Sequence, residues 1–187
     1  MHLDKSSEDA LALLHEYTQG PGLRKHAYAV EAAMRAHARR LGESEDAFGL
    51  VGLLHDFDYE RWPSLTDHPV RGSEILEAQG YPDWFRRAIL SHGDHTGVAR
   101  VSPLEKCLFA CDELCGFITA CTLVTPAKSL QALEVPSVRK RMKDKAFAKS
   151  VSRDDIVRGA ADIGIELDEH VAFVLAAMRG IAADLGL

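Results

Sequence analysis

The stretch Ala47-Phe48-Gly49-Leu50-Val51-Gly52-Leu53-Leu54-His55-Asp56 is almost wholly apolar, yet it closes on two strongly polar side chains. Glu45 and Asp46, just before it, suit the positive end of a helix dipole, and the segment reads as a helix from about Ser44 to His55. On that helix His55 lies one turn after Val51 and two after Phe48, while Asp56 continues the row of Gly49 and Gly52. Both polar groups are therefore aimed at packed surroundings. Burying a lone carboxylate costs roughly several kcal/mol, so Asp56 needs a cation or strong donors beside it. The two glycines let a neighbouring helix approach closely.

Working outward, the apolar spacing is helical almost everywhere and nowhere alternates long enough for a half-buried strand, which makes the fold class all-α, a single-domain helical bundle over residues 1–187. A short helix is expected from Ser7 to Tyr17. After the Gly20-Pro21-Gly22 break comes a long one from Leu23 to Leu41, ended by Gly42, with Leu23, Ala27, Val30, Met34 and Leu41 facing inward and Arg35, Arg39 and Arg40 facing away. Further helices are expected from Pro69 to Ala78 and from Pro82 to Ser91, with Pro82 at a first helical position. Ser102-Pro103-Leu104-Glu105 has capping-box spacing and opens a long apolar helix to about Val124. Residues 126–187 form a more polar helical extension packed on the same domain, with helices over 137–149, from a Ser152 cap to Ile163, and from an Asp168 cap to Leu185.

Other ligand-type residues stand in similar positions. Asp112 lies in the stripe between Leu108 and Cys115, and His26 sits one turn before Val30. His68 precedes Pro69, which holds it extended, and His92 ends a helix three residues before His95. Together His26, His55, Asp56, His68, His92 and Asp112 form a nitrogen and oxygen set without thiolate. Such a set suits one or two divalent ions among Fe, Mn, Mg, Zn and Ni, and Asp56 is placed to bridge a pair. Of the nine histidines in the 187 residues, His2, His15, His37 and His170 read as bystanders. His37 shares a face with His26 but stands roughly 16 Å further along the helix.

Composition removes several alternatives. No apolar run reaches the roughly 18 residues of a membrane span, and the opening residues lack the order of a signal peptide, so a cytoplasmic protein with no membrane partner is expected. Cys107, Cys111, Cys115 and Cys121 fall on one apolar helix and read as small buried hydrophobes. A net charge of −6 argues against a specific nucleic-acid partner, although Val138 to Arg153 holds seven Lys/Arg against one Asp.

The order His26, His55-Asp56, His68, His92, Asp112 resembles the HD superfamily of metal-dependent phosphohydrolases. The likeness covers residues 23–116 and is carried by Leu23-Arg24-Lys25-His26-Ala27-Tyr28-Ala29-Val30, Gly52-Leu53-Leu54-His55-Asp56, His68-Pro69-Val70-Arg71-Gly72-Ser73-Glu74-Ile75-Leu76, Ala88-Ile89-Leu90-Ser91-His92 and Leu104 to Asp112. Leu54 to Glu60 and Thr125-Pro126-Ala127-Lys128-Ser129 are similar to a bacterial group of predicted HD hydrolases, and the central segments resemble HD enzymes that cleave dinucleoside polyphosphates. Phe57-Asp58 stands where the HD-Ile-Gly form has Ile-Gly.

What the resemblance implies is an HD-type bundle with His26, His55, Asp56 and Asp112 on one metal and His68 and His92 on a second, bridged by Asp56. It implies hydrolysis of a phosphate ester or anhydride of a nucleotide or related small molecule, in a monomer or homodimer. Asp58 is then the expected proton donor or water-orienting group. Lys106, Lys128, Arg139 and Lys140 are expected to hold substrate phosphates, with His95 as an extra ligand or phosphate contact. A di-iron oxygenase is the alternative that the same ligands serve in a minority of HD proteins, and a non-catalytic nucleotide-binding HD module is a further one.

Overall fold

The computed structural model describes residues 3–187; the reading of His2 as a bystander lies outside them. Among these residues there is no strand, and the fold is an all-α single domain. Helix α1 (Ser7–Tyr17) opens with Ser6 and Asp9 capping each other's backbone N–H groups. Helix α2 (Pro21–Leu41) starts two residues earlier than expected because Pro21 fits its first turn, and it stops at Gly42, whose φ of 70° is the left-handed geometry that ends a helix. Leu41, expected inside, is 49% exposed: it belongs to the last turn, beyond the helices that cover the rest of the stripe.

Helix α3 (Glu45–Leu54) packs along α2 more extensively than any other pair of elements. Gly52 makes this possible, since a Cβ there would stand 3.1 Å from the Glu31 backbone. Turns carry the chain from His55 to the cis His68–Pro69 peptide and into α4 (Val70–Ala78). In α5 (Asp83–Ser91) Pro82 is the capping residue rather than the first helical one. A 3-10 turn (Asp94–Thr96) precedes α6 (Pro103–Leu123), which opens with the expected Ser102–Glu105 capping box.

Helix α6 is the axis of the bundle, touching α2, α5 and the later helices Arg153–Asp162 and Leu167–Arg179. Its Cys107, Cys111, Cys115 and Cys121 are buried free thiols. After a second 3-10 turn (Leu130–Ala132), α7 (Val135–Met142) ends well short of 149. There the Asp144 carboxylate accepts from the Ala146 N–H, a local bond that competes with helix continuation. Helix α8 (Arg153–Asp162) has its Ser152 cap and crosses α6 at Gly159, where a Cβ would come within 2.6 Å of Ala110 Cα. The last expected helix is two, α9 (Leu167–Arg179) and α10 (Ala182–Leu185), because Gly180 gives no side-chain support to continuation and Ile181 leaves helical geometry. Asp168 is not its cap but lies in the first turn, 2.7 Å from Arg139.

Helix α9 packs on α2 and α6, and the helices after residue 126 share the core of the rest. Phe48, Phe57, Phe85 and Phe117 are its largest fully buried rings, each bringing the area whose removal typically costs about 3–5 kcal/mol on truncation to Ala. No helix among the described residues is long and apolar enough to cross a membrane.

Candidate metal centre

Five elements deliver one side chain or pair each to a single spot. Helix α2 brings His26, the end of α3 brings His55 and Asp56, the turn before α4 brings His68, the end of α5 brings His92, and α6 brings Asp112. Their donor atoms form two groups sharing Asp56: His26, His55, Asp56 and Asp112 in one, and Asp56, His68 and His92 in the other, with atoms in each within 4.8 Å of one another.

In the first group His26 Nε2 is 3.0 Å from Asp112 Oδ1 and 3.3 Å from His55 Nε2, while His55 Nε2 lies 3.4 Å from both Asp56 Oδ2 and Asp112 Oδ1. In the second, His68 Nε2 and His92 Nε2 stand 3.2 and 3.3 Å from Asp56 Oδ1 and 3.3 Å from each other. The outer nitrogens are spoken for. His55 Nδ1 donates to Gly52 O at 2.8 Å and His92 Nδ1 to Ile89 O at 2.6 Å, because a carbonyl can only accept. His68 Nδ1 donates to Asp58 Oδ1 at 2.8 Å. With Nδ1 committed outward, each of these rings, once neutral, turns an Nε2 lone pair inward, towards a neighbour's Nε2 and carboxylate oxygens. Asp56 Oδ1 is buried and has no hydrogen-bond partner. Converging acceptors with fixed outer donors are what a divalent cation requires, so the residues fit one or two such ions.

Without an ion, protons must balance the charge. Burial pushes the His55 pKa down, but Asp56 and Asp112 outweigh it and hold it well above the ordinary imidazole value. For His68 burial is likewise overcome by Asp56 and Asp58, lifting it to about 9. Burial would raise Asp56 and Asp112, yet the facing histidines keep both carboxyls far below the usual range. On the cavity wall, burial and the Asp112 charge push Glu113 up to about 7.

Asp58, expected as a proton donor or water-orienting group, is 0% exposed, with Oδ1 on His68 and Oδ2 accepting from the Gly72 N–H at 2.8 Å. A Cβ at Gly72 would stand 2.8 Å from Asp58 Cγ, so the glycine forms the cradle that admits it. Asp58 thus holds the outer nitrogen of the His68 ring from within the protein.

The donors open into a cavity of about 510 Å³, also lined by Tyr59, Phe109, Glu113, Gly116, Asp94, Ser150 and Asp155. His95 lines it too, but its Nε2 bonds to His68 O at 2.9 Å and it joins neither donor group. None of the four expected phosphate-holding cations is brought there. Lys106 lies six residues before Asp112, about 240° round the helix. Lys128 is exposed in a turn after α6, Arg139 pairs with Asp168, and Lys140 borders a different cavity beside Cys121 and Arg141. These positions depend on contacts between distant segments. Glu113 and Tyr59 were not singled out as site residues in the sequence. The first is betrayed only by adjacency to Asp112, the second by lying one turn after Asp56, with its ring 5.2 Å from that of His68.

His37 and His170 are buried elsewhere, their rings 5.5 Å apart between α2 and α9, and His15 bonds to Tyr28 Oη at 2.7 Å. Compared with known families, residues 23–116 match the HD domain. No curated protein and no solved structure matches the chain.

Proposed function

The chain belongs to the HD domain family, most of whose members are metal-dependent phosphohydrolases, and on that premise we propose that it hydrolyses a phosphate ester or anhydride of a nucleotide or related small molecule. The observation that carries the reading is the inward convergence of four imidazole Nε2 atoms on the Asp56 and Asp112 carboxylates, with His68 and His92 beside the buried Oδ1 of Asp56. His26, His55, Asp56 and Asp112 would hold one ion, and Asp56, His68 and His92 a second. Bound divalent ions supply Lewis-acid polarisation of a phosphoryl oxygen and a water acidified from pKa 15.7 towards about 7.

The chain's own work is orientation. Gly52 O and Ile89 O fix the tautomers of His55 and His92, and Asp58 does the same for His68 while its charge strengthens that ring as a donor. His95 braces the backbone carbonyl of His68 from the cavity side, where it also remains a candidate substrate contact. Tyr59, Leu65, Phe109 and Val151 supply the apolar walls that limit water around a bound phosphoryl group.

The test is metal analysis of the purified protein, followed by a phosphate-release screen with Mn, Mg, Fe, Zn and Ni across nucleotides and sugar phosphates. Asp56→Ala should lose both metal and activity, since it removes a ligand from both groups. A variant that keeps both overturns the reading. Iron-dependent oxygen uptake without phosphate release would replace it with oxygenase chemistry.

A further inference from the structure

No lysine or arginine lines the cavity above the donor groups, although Asp94, Glu113 and Asp155 all do. The guanidinium groups that touch its wall are committed to Asp94, Asp155 and the Phe109 ring. Arg100 is 2.7 Å from Asp94, donates to Ser91 O and lies over the Phe109 ring at 3.7 Å. Arg158 joins Asp94 at 2.5 Å to Asp155 at 2.7 Å and covers the same ring from 4.8 Å. These four side chains neutralise one another, which leaves Glu113 as the wall acid with spare capacity, and a cationic group beside it favours its charged form. Its Oε2 accepts from the Ser152 N–H at 3.2 Å, and its Oε1 has no hydrogen-bond partner among the described residues. One turn on, Gly116 keeps the adjoining floor open, since a Cβ there would meet nothing within 4 Å.

Charge then limits what fits. Two divalent ions against the Asp56 and Asp112 carboxylates leave a formal surplus of about +2, which a single phosphate monoester with about −1.5 to −2 already neutralises. A second phosphate held in the same cavity would meet Glu113 and no lysine or arginine on its lining. A hydroxyl or ammonium group beside Glu113 would donate to its Oε1, which accepts no bond within the described residues. Building on the hydrolase reading, we propose that the cavity selects a small monophosphate whose leaving group is neutral or cationic and carries O–H or N–H donors, with Glu113 as the specificity-determining residue. Nucleoside di- and triphosphates and dinucleoside polyphosphates are excluded by the same wall.

A matched three-carbon series isolates the effect: propyl phosphate, glycerol 3-phosphate and 3-aminopropyl phosphate, alongside ATP and inorganic tripolyphosphate. With metal-loaded protein, the two donor-bearing esters should exceed propyl phosphate in kcat/KM by about tenfold or more, the usual discrimination for a hydrogen bond to a charged group, and the polyphosphates should fall below all three. Glu113→Gln retains an acceptor for Ser152 and should leave metal content intact, while shrinking the preference for 3-aminopropyl phosphate to within about threefold of propyl phosphate, as expected when an ion pair is replaced by a neutral contact. Polyphosphates turned over best, equal rates across the esters, or a preference unchanged in Glu113→Gln would each overturn the proposal. Calorimetric binding of the same series separates it from the hydrolase reading. Donor-selective binding without phosphate release defeats hydrolysis alone, whereas unselective binding defeats the role given to Glu113.

Discussion

Two groups of buried histidines in this bundle answer the same problem in opposite ways. At the donor site His55 and His68 face Asp56, with Asp112 and Asp58 close by, and the pKa of each ring is raised. In the core His37 and His170 face Phe173 and each other, with no carboxylate paired to them, and burial lowers both, His37 to about 3. Both places leave atoms without hydrogen-bond partners: Asp56 Oδ1 in the first, His37 Nε2 and His170 Nδ1 in the second. The difference lies in what surrounds them. At the site, Nε2 atoms from four rings converge with carboxylates, whereas in the core two neutral rings serve as packing, His170 also bonding through Nε2 to Ala110 O at 2.9 Å. Burial of a histidine is therefore uninformative here until the neighbouring acids are counted.

The sharpest way to break the comparison is the same substitution in each place. His55→Leu should abolish binding at the first donor group and take phosphatase activity to background, because the remaining His26, Asp56 and Asp112 lose their shared nitrogen. His170→Leu should keep metal and activity and change thermal stability little, since it removes an unsatisfied nitrogen along with one bond to a helix carbonyl. Metal content and Tm, measured on both, check the pair. Equal metal loss from the two variants would erase the distinction.

Next in size is Asp58→Asn. Oδ1 and Oδ2 both accept, from His68 and from the Gly72 N–H, and an amide must present its NH₂ to one of those donors. The expected loss is about 10–100-fold in metal affinity or activity, as for other residues that orient a ligating histidine. Tenfold excess metal should restore part of the activity if the role is positioning. An unchanged metal titration curve would show that the His68 tautomer does not depend on Asp58.

Smaller again is the proton count of metal uptake. The raised pKa values of His55 and His68 mean that these rings carry protons near neutrality when no metal is present, and ligation requires neutral imidazole. Calorimetric titrations in buffers of different ionisation enthalpy at pH 7 should show proton release on binding, and apparent affinity should weaken as pH falls. Proton-neutral uptake would mean that the acids at the site do not protonate these rings.

Much of this was legible in the chain. The helical spacing through Leu50, Val51 and Leu54 announces a helix whose end is buried, and Ser102 and Glu105 form the capping box their spacing predicts. The six donors were legible because each placed a polar group on an apolar stripe or at a helix end, and such displacements are local in sequence. What escaped depends on contacts made far away. Asp58 reads as a loop acid until Gly72, fourteen residues on, closes over it. Arg139 reads as a phosphate holder until α7 and α9 pack together and it meets Asp168. Glu113 carries no signal of its own in the sequence, and its place on the cavity wall depends on the segment before α8, which offers it the Ser152 N–H.

The core pair also makes the mildest prediction, one of sign. A histidine whose folded pKa lies below its unfolded value of about 6.5 contributes stability that is complete above pH 6.5 and is lost as pH falls towards the folded value, because the unfolded chain then binds the extra proton. For His37 that window runs from about 6.5 down to about 3, with His170 and Arg40 opposing protonation after burial itself. Carboxylates elsewhere lose stability in the same range, so the informative quantity is a difference. Metal-free wild type and metal-free His37→Leu should have similar Tm near pH 7.5 and diverge as pH drops to 4.5, the variant falling less. Parallel curves would mean that His37 gains its proton without unfolding. The ring would then have access to a solvent or carboxylate partner that its position between Phe173 and His170 denies it.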